Sequence, residues 1–152
     1  MEQSRMPHDI KQECLWIVRG YGRRKKAYRA LVEQIMHGPQ PGDGMPRDSS
    51  VGNPTESKAM RLAALEQYPE VQRMRAVERS LEKVGADIEE EGIRRKLRRA
   101  LLLNCESGRK YPFEYLDMPG ISRMDFYRRK ERFLCDIAYQ MNLTQVGTVH
   151  AQ

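Results

Sequence analysis

The chain has 152 residues, 39% hydrophobic and 32% charged, with one Trp and three Phe, which suits one core of ordinary size and excludes two. Its formal charge of +6 is localised: residues 94–132 hold 12 Lys or Arg against 5 Asp or Glu, a net of +7, and the remainder holds 15 against 16. Cys14, Cys105 and Cys135 are widely spaced, and no apolar run approaches the roughly 18 residues a membrane span needs. A zinc site, a disulfide framework and a membrane protein are therefore not expected, and reduced thiols in a cytoplasm are.

The chain predicts an all-α fold. A helical arm occupies 1–37, with Asp9 as its cap and Ile10, Cys14, Ile17, Tyr21, Tyr28, Leu31 and Ile35 at alternating steps of four and three, provided Arg24 fills the missing slot. That is a heptad seam. Gly20 and Gly22 each cost about 1 kcal/mol in a helix interior, so a kink or a split into two helices is expected here. The arm either joins copies into a homo-oligomer or folds back on its own domain. Its basic run 23–29 reads as a wet helix face before it reads as a phosphate contact.

Residues 38–54, rich in Gly, Pro, Ser and Asp, read as a flexible linker or long loop. A helical domain, 55–143, follows. Thr55 caps a first helix that ends near Tyr68, and Pro69 opens a second with Val71, Met74, Val77, Leu81, Val84 and Ile88 at helical spacing. Glu89, Glu90 and Glu91 suit the start of a third, whose buried stripe is Ile93, Leu97, Ala100 and Leu101 and whose other faces carry Arg94, Arg95, Lys96, Arg98 and Arg99. A turn over 106–112 leads to a short helix, 113–118, stopped by Pro119 and Gly120. Residues 144–152 read as a disordered tail.

The last helix, 122–141, carries the strongest signal. Ser122 and Asp125 form a serine-x-x-acid capping box, and Ile121 with Phe126 makes a hydrophobic staple. Phe126, Phe133, Leu134, Ile137 and Met141 fall on one side, Lys130 lands near that stripe and must snorkel, and the first half presents Arg123, Met124, Tyr127, Arg128 and Arg132. A glycine turn between two helices, with side chains exposed on the first turns of the second, is the pattern of a helix-turn-helix that enters the major groove, placed here at 112–141.

The segment "FEYLDMPGISRMDFYRRKERFLCDIAYQM" resembles the helix-turn-helix of sigma-factor region four and, more closely, of phage transcriptional regulators of the RinA and ArpU type, with Glu114 as the acid of the first helix. Residues 54–85 are similar to the helical region upstream of that unit. Two positions depart from the pattern: Leu116 stands where a small residue is usual, and Pro119 precedes the turn glycine, so the first helix must end early. The resemblance implies sequence-specific binding of double-stranded DNA, control of phage or prophage genes in a bacterial host cell, and host RNA polymerase as a partner.

On that reading Arg123 and Arg128 contact guanine, Met124 and Tyr127 contact bases or sugars, and Arg132, Arg109 and Lys110 contact phosphates, with Arg98 and Arg99 as further phosphate contacts. Two alternatives stand beside it. One is a packaging accessory factor resembling a small terminase subunit, and the other is a helical protein-interaction module with a merely solvated basic face. The chain has no phosphate-cradling glycine loop and no Ser-His-Asp grouping, so neither an enzyme nor a cofactor is expected.

Overall fold

A computed structural model of the chain describes residues 6–38 and 54–143. Seven helices, α1 (His8–Arg19), α2 (Tyr21–His37), α3 (Pro54–Leu65), α4 (Pro69–Lys83), α5 (Glu91–Glu106), α6 (Phe113–Leu116) and α7 (Arg123–Gln140), account for its regular structure, and there is no strand among the described residues. The fold is all-α. None of these helices is long and apolar enough to cross a membrane. The expected linker, apart from its end residues Gly38 and Pro54, and the expected tail lie outside the described residues.

The arm breaks where its glycines predict, and its first half folds back onto the rest of the chain. It is split at Gly20, whose N–H donates to the Trp16 carbonyl at 3.0 Å. Cys14, Leu15, Ile17 and Val18 of α1 share one buried cluster with Val77 of α4, Leu97, Ala100 and Leu101 of α5, and Phe126, Phe133, Leu134 and Ile137 of α7. The α1 half of the heptad seam is thus covered from within the chain. Burial pushes the Cys14 thiol up to about 12, with Cys135 adding to it, and pushes Cys105 up to about 11; both are protonated core thiols rather than nucleophiles.

Arg24, the odd residue of the seam, explains the bend. Its Nη1 donates to the Ile17 carbonyl at 2.9 Å, one of those the broken helix leaves without a partner, and its Nε pairs with Glu70 of α4. α2 then runs along α4, with α3 against its far end, and Ile35, Leu65, Val71 and Met74 are buried outside the main cluster where these three helices meet.

A polar junction stitches the same helices together. Arg75 donates to both oxygens of Glu66 at 3.0 Å, to Glu78 at 2.8 Å and to the Tyr28 hydroxyl at 2.8 Å. The Tyr21 hydroxyl donates to the other Glu78 oxygen at 2.9 Å. Burial, reinforced by that bond, raises Tyr21 to about 12, so the hydroxyl keeps its proton over the ordinary pH range.

Boundaries also shift: Pro7, not Asp9, precedes α1, and Asp9 lies inside its first turn. Pro54 rather than Thr55 opens α3, as suits a residue with no N–H to satisfy at a first turn. The short helix stops at Leu116 instead of residue 118, because Asp117 turns to the left-handed region at φ 49°.

Candidate nucleic-acid interface

The Ser122 half of the predicted capping box forms, while the Asp125 carboxylate accepts from Arg129 instead of turning back to the cap. Ser122 Oγ accepts the Asp125 N–H at 3.1 Å, filling one of the orphan donors of the first turn. Leu116, Met118 and Ile121 are buried ahead of the cap, and Gly120 at φ +77° has open space around it, so glycine answers there to backbone conformation alone. The Phe126 ring sits 5.4 Å from Phe113 and 5.3 Å from Tyr127. This apolar wedge fixes the direction in which α7 leaves the turn. With α6 reduced to four residues, the unit before α7 is a single turn of helix, shorter than the short helix expected over 113–118.

Of the predicted contact residues, Met124, Arg128 and Arg132 fall at i, i+4 and i+8 on one exposed face of α7, the spacing that stacks side chains along a helix. Met124 is 71% exposed, and the Arg128 guanidinium makes no ion pair or hydrogen bond among the described residues.

Arg123 and Tyr127 lie on a flank. Arg123 Nε is 3.0 Å from Glu114 Oε2 and its guanidinium 5.3 Å from the Tyr127 ring; Tyr127 is half-buried against the core. The Glu114 pair is exposed on both sides and of little weight, so a phosphate can displace the carboxylate. Beyond Tyr127, Lys130 does not simply carry its ammonium out to water as expected but donates it to Oδ1 of the buried Asn104 at 2.8 Å. Asn104 in turn donates to the Tyr111 carbonyl at 2.7 Å, and Lys110 Nζ lies 5.4 Å from the Tyr111 ring. These contacts bring the exposed turn bearing Arg109 and Lys110 beside the basic flank of α7.

The opposite flank is mixed in charge, with Lys83, Arg129 and Arg132 beside Asp87 and Asp136. Arg132 shares a cleft with Asp87, Arg129 and Asp136, and Arg129 grips Asp87 through two bonds of 2.9 and 2.7 Å while reaching Asp125 at 3.2 Å. Sequence reasoning gave Arg129 no role. Its four-residue step from Asp125 was legible, but the bond to Asp87 closes a separation of 42 positions. This clamp ties α7 to the loop after α4.

The clamp leaves a pH signature. Arg129 holds the Asp87 carboxyl at about 2, below its ordinary 3.8. A folded-state value depressed in this way stabilises the fold above pH 3.8, and that contribution is lost as pH falls from there through about 2. Carboxyl NMR titration is expected to place the Asp87 midpoint near 2 in the parent and back toward 3.8 in Arg129→Gln; an unchanged midpoint in the variant would remove the clamp from the account.

Two predicted phosphate contacts sit elsewhere. Arg98 Nε donates to the Val84 carbonyl at 3.0 Å and its Nη2 to Glu82 at 2.8 Å, so this side chain satisfies carbonyls at the C-terminal end of α4, as basic residues commonly do. Arg99 lies in a groove between α5 and the α1–α2 bend with Arg19, Tyr21 and Arg23, on other elements than the α7 face. Among the described residues no His, Cys, Asp and Glu side chains group as metal ligands. No protein-family model, curated protein or solved structure matches the chain.

Proposed function

We propose that the chain is a sequence-specific DNA-binding protein whose α7 enters the major groove by its N-terminal half, and that it serves as a transcriptional regulator of phage or prophage genes. The observation that carries DNA binding is the placement of Met124, Arg128 and Arg132 along one exposed face whose flank holds Arg123, Lys110 and Arg109. The regulatory role rests on the resemblance to the RinA and ArpU type. Arg128 is the base reader in this reading, since it is both exposed and uncommitted, and Arg forks pair with guanine edges. Arg109 and Lys110 hold one phosphate strand. The duplex is thereby oriented as well as bound.

A protein-interaction reading has one observation in its favour. A mostly apolar groove of about 390 Å³ between α2 and α4, lined by Ala27, Tyr28, Leu31, Tyr68 and Val71, could receive a helix from a second copy or from host RNA polymerase. The two readings separate in solution. Duplexes selected from a random pool, then titrated at several salt concentrations, are expected to share a sequence and to bind with an affinity that falls steeply with salt. No duplex binding at low salt would leave only the interaction module.

A further inference from the structure

We infer that the groove between α5 and the α1–α2 bend is a second phosphate-binding surface, so that the protein grips DNA backbone away from α7. This rests on the reading of the chain as a DNA-binding protein. Arg19 and Arg23 from the two sides of the bend meet Arg99 of α5 in that groove. Lys26 is one turn beyond Arg23 on α2, and Arg95 one turn before Arg99 on α5, so each cation extends the row on its own helix. Arg23, Lys26, Arg95 and Arg99 are exposed and make no ion pair or hydrogen bond among the described residues. Their neighbours in sequence are spent on the fold: Arg24 on Glu70 and the Ile17 carbonyl, Lys25 on Glu78, Arg94 on the Ile88 carbonyl, and Arg98 on the end of α4.

The chemistry fits a phosphodiester chain. Four of the five cations are arginines, whose planar forks match phosphate oxygens in pairs. Arg19 is already held in place through Nε, which donates to the Cys105 carbonyl at 3.1 Å. Among the described residues Glu106 is the one acid lining the groove, too few to neutralise the row. The bend at Gly20 is what brings α1 and α2 cations to α5 together, which gives the split of the arm a use beyond packing.

The test is a fourfold variant, Arg23→Gln, Lys26→Gln, Arg95→Gln and Arg99→Gln, with its helical circular dichroism compared with the parent's. Both proteins, and Arg128→Ala, are titrated against a selected 30-base-pair duplex and a scrambled one. The fourfold variant is expected to bind both duplexes at least about tenfold more weakly at low salt, with a log–log salt slope shallower by about 3–4 and the preference for the selected duplex retained. An unchanged slope in the folded variant overturns the second surface, even while Arg128→Ala loses the preference and so upholds the α7 face. The reverse pattern upholds the groove and sinks the α7 face. A parent protein that binds neither duplex overturns both.

Discussion

Phe126→Ala is expected to destabilise the fold by about 3–5 kcal/mol. The ring is fully buried, contacts Phe113 and Tyr127, and follows the cap by one turn of helix. Removing it both withdraws a large apolar group from the core and leaves a cavity between α6 and α7 that rigid helices can only partly close. Against a total of about 5–15 kcal/mol for an ordinary domain, that is a large fraction. Urea denaturation should show a lower midpoint with an unchanged slope. A loss under about 1 kcal/mol would mean that the wedge does not anchor α7.

Arg75→Met should cost about 1.5–3 kcal/mol, the range for hydrogen bonds to charged groups. The Arg75 side chain is 29% exposed, so solvent takes up part of the loss. What remains is the repulsion and desolvation of Glu66 and Glu78, left with no guanidinium between them. The Glu66 carboxyl lies below its usual range chiefly because Arg75 donates to it, so it stabilises the fold above its ordinary pKa and ceases to do so as pH falls through the depressed value. In the variant this acid-side loss should shrink. Denaturant midpoints at neutral and acidic pH, compared for the two proteins, would show it; a parallel loss at both would assign the effect to packing alone.

These two sites show what local pattern can carry. The staple and cap around Ser122, Ile121 and Phe126 were legible because all three act within one turn of each other, and the row of Met124, Arg128 and Arg132 follows from helical period. The break in the arm was signalled by Gly20 and Gly22. Whether the arm would lie apart or fold back was not, since the ties that decide it, Arg19 to Cys105, Tyr21 to Glu78 and Arg24 to Glu70, pair residues 46 to 86 positions apart.

The basic run of α5 was the least legible part. As a string it is five similar cations, yet Arg94 and Arg98 satisfy backbone carbonyls, Lys96 lies 3.4 Å from Asp117, and Arg95 and Arg99 alone remain uncommitted. Burial of each stem depends on which neighbour its helix face meets, and that is set by tertiary packing. Net charge singled out a segment, and the structure sorted that segment into clamps, caps and free side chains.

The central claim is that Arg128 reads bases while the 109–110 turn holds backbone. Equilibrium binding of the parent, Arg128→Ala and Lys110→Ala to a selected and a scrambled duplex, at one fixed salt concentration, tests it most directly. Arg128→Ala is expected to lose about 1–3 kcal/mol on the selected duplex and little on the scrambled one, whereas Lys110→Ala weakens both about equally. Parent-like binding by both variants, or an equal loss on both duplexes for Arg128→Ala, would contradict the assignment of the α7 face.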